Sequence, residues 1–158
     1  MKRSIKKGLG FGLNSGVITT LGMMVGLNAS TQSKLAVIGG IIAVALADAF
    51  SDAVGIHIAE ESENRHTERE IWEATFSTFA SKFVVGFSFI LPVMAFQLSV
   101  AIGVSIVWGL ALVIVFSYYL ATEQGVRPYK VVFEHVAIVV LVIIVTHYAG
   151  KWVASLCC

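Results

Sequence analysis

Five apolar stretches constrain this chain more than anything else in it: roughly residues 8–28, 35–59, 76–97, 99–121 and 131–156. Each is close to the ~20 residues a helix needs to cross the hydrocarbon core of a bilayer. Lipid offers no partner to a backbone N–H or C=O, so such stretches are expected to be helices that satisfy their own backbones. Composition agrees, with 57% hydrophobic and 13% charged residues and a mean hydropathy of +0.85, where a soluble domain carries about 25% charged residues. The expected fold is therefore an all-α membrane protein, one transmembrane domain over residues 1–158 with five membrane-spanning helices. Connections at 28–34 and 97–100 are short, whereas 60–75 and 122–130 are longer and polar.

The opening Met1-Lys2-Arg3-Ser4-Ile5-Lys6-Lys7 has the basic character of a signal peptide. The apolar stretch after it is as long as a full span and has no clean small-residue cleavage site, so it is expected to be a retained first helix. Basic residues then set the orientation. With the N-terminus in the cytoplasm, that side holds Lys2, Arg3, Lys6, Lys7, Arg65, Arg69, Arg127 and Lys130, and the far side only Lys34 and Lys151. The expectation is N-terminus cytoplasmic and C-terminus outside, in the cell membrane of a prokaryote or a vacuole-type membrane of a eukaryote.

The second span carries the chemistry. Asp48 and Asp52 lie near its middle, and a carboxylate within a bilayer is costly enough to mark an ion or proton path. Four residues apart, they share one helix face. Small residues recur beside them at the same interval, Ala43, Ala47, Ser51, Gly55 and Ala59. Such a ridge lets another helix come close, so the aspartates are expected to face a helix–helix seam. The first span offers matching glycines at 8, 12, 16, 22 and 26, with Asn14 and Ser15 between them as pathway candidates. Thr19 and Thr20 are expected to bond back to their own helix.

His57 lies half a turn from Asp52 and is expected at the membrane interface. The connection from Glu60 to Glu73 contains six glutamates and one histidine. Glu60, Glu61, Glu63 and His66 could collect a hard divalent cation at the mouth of a path. The plainer reading is a solvated helix with rows such as Glu61–Arg65 and Arg65–Arg69–Glu73. Lys82 either snorkels to the cytoplasmic interface or turns inward as a counter-charge to an aspartate. The fourth span has no ionisable residue and reads as structural. In the fifth, Glu134, His135 and His147 sit near the ends, where interfacial roles are ordinary.

Nothing points to an enzyme: there is no phosphate loop, dinucleotide fingerprint, zinc-protease helix or nucleophile elbow. A net charge of +1 without a basic, aromatic-interleaved patch gives no reason to expect nucleic acid. Cys157 and Cys158 are adjacent, which suits neither a disulfide framework nor a zinc site. No permanently bound cofactor is expected.

Several segments together resemble the vacuolar iron transporter family, five-span transporters of ferrous and manganous ions. The run Gly12-Leu13-Asn14-Ser15-Gly16-Val17-Ile18-Thr19-Thr20-Leu21-Gly22 is similar to that family's Asn-Asp-Gly-Leu-hydrophobic-Thr-Thr-Phe-Gly signature. Ala45-Leu46-Ala47-Asp48-Ala49-Phe50-Ser51-Asp52 is similar to its Ala-Leu-Ser-Met-Ala-x-Gly-Glu stretch. Ala80 to Gly86 followed by Pro92, and Thr146-His147-Tyr148-Ala149-Gly150, resemble its third span and its end. Ser15 stands where the family has aspartate and Asp48 where it has a methionine ligand. The family's glutamate falls at Asp52, and its cytoplasmic metal-binding domain is reduced here to a dozen or so residues without methionine.

The resemblance implies a homodimer, an ion path between the first and second helices of both subunits, and outward cation movement in exchange for protons. It also implies a ligand set of Asp48 and Asp52, with Ser15 and Asn14 opposite. Carboxylate in place of sulfur favours harder cations such as manganese, magnesium or calcium. In a dimer, four crowded carboxylates are expected to hold protons when empty and release them to an incoming cation. The alternative is a non-transporting assembly or regulatory subunit whose aspartates are structural, bridged to Lys82, Asn14 or a neighbouring backbone.

Overall fold

The structure, a computed structural model, describes residues 3–157, without the side chain of Cys157. The side chains of the terminal cysteine pair thus lie outside what is described. Six helices follow in order: α1 (Arg3–Thr31), α2 (Lys34–Ser62), α3 (Glu68–Ser88), α4 (Ile90–Ala95), α5 (Leu98–Glu123) and α6 (Pro128–Cys157). Helices α3 and α4 together make one span, so among the described residues five segments are long and apolar enough to cross a membrane.

The helices run past the apolar stretches at both ends because polar residues cap them. Ser33 Oγ accepts from Ala36 N–H at 3.2 Å and opens α2. Thr67 and Glu70 form a reciprocal capping box, which satisfies orphan N–H groups at the helix start. Helix α3 therefore begins at Glu68, well before the apolar residues that suggested a start near 76. At the other end of that connection, Asn64 takes a left-handed φ of 49° just past α2, a conformation asparagine tolerates. The helix stops short of Arg65, so the expected Glu61–Arg65 row does not form, whereas Arg69 Nε does reach Glu73 at 3.0 Å.

The third span is not one continuous helix. It breaks at Phe89, whose N–H turns back to Gly86 and Phe87 carbonyls. Pro92 lacks the donor that would close onto the Ser88 carbonyl, and its ring crowds that same carbonyl. Ser88 Oγ, meanwhile, accepts from Trp108 Nε1 of α5 at 3.2 Å.

Helix α1 is the centre of the bundle, touching α2, α3, α5 and α6, while α3 packs against both α1 and α2. Its glycines explain the closeness. A Cβ at Gly12 would stand 2.5 Å from the Thr78 carbonyl oxygen of α3, nearer than any real side chain comes. Gly22 in turn faces Val142 of α6, with a Cβ there 2.8 Å from that side chain. This corrects the expected pairing: the glycine row of the first helix receives α3 and α6, and the α2 ridge is left without a partner among the described residues. Ala43, Ala47, Ser51, Gly55 and Ala59 are all exposed, and exposed Gly39 extends the row by one turn. Nothing lies within 4 Å of a Cβ built at Gly39 or Gly55.

Charged contacts tie the segments at one end together. Lys6 pairs with Glu123 at 2.6 Å, Lys7 with Glu60, and Ser4 Oγ donates to Glu73 at 2.9 Å. At the opposite end Lys34 Nζ donates to the Phe96 carbonyl at 3.1 Å, and Gly150 of α6 lies against Gly26 of α1. The polar connections expected on the N-terminal side do share one end.

Candidate functional site: a lysine between two aspartates

Ser15 of α1, Asp48 and Asp52 of α2 and Lys82 of α3 meet within the bilayer-length part of the bundle. Two glycines and an alanine face let them. A Cβ at Gly16 would come within 3.3 Å of the Lys82 stem, and one at Gly86, a turn further along α3, within 3.3 Å of Thr20 and Ala45. Ala45, Ala49 and Ala53 form the buried face of α2, which keeps α3 close to it.

Lys82 does not snorkel. It is 1% exposed, and its ammonium lies 2.8 Å from Ser15 Oγ and 2.7 Å from Asp48 Oδ2, in closer contact still with Asp52 Oδ2. Ser15 in turn donates its hydroxyl to Asp52 Oδ2 at 2.6 Å. The inward role for Lys82 is the one the geometry adopts, and it reaches both carboxylates at once. The Asp48 contact is an ion pair without hydrogen-bond alignment, so Asp48 Oδ2 is buried with an acceptor direction unused.

With the lysine charged and both carboxylates ionised, the set carries one net negative charge. Its three helices close it on one flank only. The aspartate side chains keep 28% and 20% exposure, and on the helix wheel they stand between the buried alanine face and the exposed ridge.

Asn14, placed with Ser15 as a pathway candidate, turns elsewhere. Its Nδ2 donates to the Gly10 carbonyl at 3.3 Å and its Oδ1 is buried without a partner. Thr19 bonds back to the Ser15 carbonyl at 2.9 Å. His57 faces away from the aspartates, its Nδ1 3.0 Å from Thr75 Oγ1 and its ring edge on Trp72. His135 Nδ1 meets Ser117 Oγ at 2.7 Å across α5 and α6.

The acidic mouth is drawn together by Lys7 of α1, whose place in the sequence bore only on orientation. Glu60 is 2% exposed, held by Lys7 of α1 on one oxygen and 3.4 Å from His66 Nε2 on the other. Glu63 lies 3.4 Å from His66 and 3.9 Å from Lys7. Glu61 is exposed to the side. Among the described residues, no group of three or more His, Cys, Asp or Glu is arranged to hold a metal ion. The chain brings together two carboxylates and a hydroxyl within its apolar spans, and a lysine among them.

No curated protein matches the chain. Residues 9–73, which include Ser15, Asp48 and Asp52 and stop before Lys82, match the family model of the VIT family, the vacuolar iron transporters.

Proposed function

Proceeding from that match to a family of membrane metal-ion transporters, we propose that this multi-pass membrane protein carries a divalent metal cation across the bilayer by way of Asp48 and Asp52. The observation that carries this reading is the carboxylate pair itself, set at mid-span within the matched residues and only partly covered. A structural device would have no use for two carboxylates on one lysine, because the second negative charge stays uncompensated. A cation path has use for both. Oxygen-only ligands, the two carboxylates with Ser15, favour manganese or another hard divalent ion over a soft one.

The partly covered flank lies beside the unpartnered ridge, where no side chain of the protomer approaches Gly39 or Gly55. We take a second copy to pack there, as small-residue rows allow in lipid. That would bring two Asp48–Asp52 pairs to one seam and supply the ligands a single protomer lacks. With basic residues concentrated at the N-terminal end, the orientation is N-terminus in the cytoplasm, and the cation moves outward against protons.

Purified protein in liposomes tests this. Wild type should take up Mn²⁺, whereas Asp48→Asn and Asp52→Asn should each lose at least nine tenths of the rate while still eluting as folded protein. Undiminished uptake in both variants would sink the proposal. The ion pairs of Lys82 favour one other reading, an assembly subunit with structural aspartates, which expects no uptake by wild type and lower stability in both variants.

A further inference from the structure

The position assigned above to the substrate cation already holds a positive charge of the chain itself. Lys82 sends an ammonium 2.8 Å from Ser15 and 2.7 Å from Asp48, and against Asp52. Those are the three oxygen groups assigned above to the ion. We propose that Lys82 is a tethered cation that fills the site when it is empty, so that a substrate enters only by expelling the ammonium, and that this makes Lys82 the residue that rejects monovalent ions. The inference rests on the transport reading and adds the selectivity of that same site.

Charge and geometry carry the argument. With the ammonium seated, two carboxylates and one lysine sum to −1. A potassium or sodium ion that took its place would bring the same single charge, so its attraction to the carboxylates at equal distance would be no greater. It would also have to shed water and leave a lysine that is 1% exposed without its partners inside a bilayer, which is costly. A divalent ion doubles the attraction to each carboxylate and neutralises the pair by itself, a gain that offsets the expelled ammonium's loss of partners and that a monovalent ion lacks. The tether weighs on the same side, since a group held on the chain is present at high effective concentration regardless of what the solution contains.

The exchange asks for a movement of the Lys82 side chain. Gly16 leaves the Lys82 stem room against α1, where a Cβ would press on it at 3.3 Å. The groups facing the ammonium are Ser15 from α1 and Asp48 and Asp52 from α2.

Liposomes containing the full chain, with Mn²⁺ as probe and K⁺ as competitor, provide the test. Lys82→Met should lower the half-saturating Mn²⁺ concentration at least tenfold, because nothing has to be expelled. It should also make uptake sensitive to K⁺ that leaves wild type unaffected. Lys82→Arg keeps the charge and holds carboxylates more firmly, so its half-saturating Mn²⁺ should rise severalfold while K⁺ stays without effect. A Lys82→Met protein with wild-type half-saturation and K⁺ resistance overturns the inference. Should that variant fail to elute as folded protein, Lys82→Arg decides alone, and an unchanged half-saturation there overturns it equally. Absence of Mn²⁺ uptake by wild type would instead overturn the transport reading and this inference with it. Uptake that needs Asp52 and ignores Lys82 removes the inference only.

Discussion

Charge balance inside the bundle predicts an order of stabilities that no single variant would reveal. Replacing either aspartate by asparagine leaves one carboxylate opposite the ammonium, a neutral pair of the same shape. Each single variant should therefore lose little, on the order of 1 kcal/mol, the usual net value of a hydrogen bond. Asp48→Asn with Asp52→Asn is different in kind. Lys82 is 1% exposed, and the double change strands its charge in the bilayer. Stripping a buried pair of its partner costs about 3–5 kcal/mol, and a lone lysine at mid-span about 2.5–3.5 kcal/mol on insertion scales. About 3 kcal/mol satisfies both. Adding Lys82→Met to the double variant removes the stranded charge and should return most of that loss. Reversible unfolding in mixed micelles, followed by tryptophan fluorescence, gives all five free energies. A triple variant no more stable than the double would refute the placement of Lys82 between the aspartates.

Three further outcomes are expected. Gly12→Ala would push a methyl group to 2.5 Å from the Thr78 carbonyl and should cost about 1–3 kcal/mol, the range for overpacking, whereas Gly103→Ala meets open space and should leave the melting midpoint unchanged. Ala47→Leu, on the exposed ridge, should leave the protomer folded and shift the detergent-solubilised protein from dimer to monomer in light scattering. Thr67→Ala removes the capping box of α3 and should cost about 1 kcal/mol, visible as faster hydrogen exchange at the first turn of that helix.

The number of spans and the shared face of Asp48 and Asp52 were legible in the sequence because each depends on spacing along one helix. What depended on which helix lies beside which was not. Glycines at four-residue intervals announce that a backbone approaches, and the first helix does carry such a surface, but the spacing is silent on whether α2, α3 or α6 fills it. Lys82 shows the same limit. A lone lysine near the end of an apolar stretch is equally suited to the interface and the interior, and the choice is made by Gly16 on α1 and the aspartates on α2. Lys7 is a sharper case: read from sequence it only helped set the orientation, yet it holds the buried Glu60 of a distant helix. The break at Phe89 had its cause in view at Pro92, but hydropathy averages over a window and passes straight across it.

The exposed ridge on α2 has a consequence of symmetry. From Gly39 to Ala59 it covers about 30 Å along the helix axis, the full depth of a hydrocarbon core. Two copies inserted the same way round can be related only by an axis along the membrane normal, so any pairing through this ridge keeps every residue level with its own counterpart. Each aspartate would then stand level with its own equivalent in the other copy rather than being staggered along the membrane. A ladder of small residues fixes more than closeness: it fixes the height at which the charges meet.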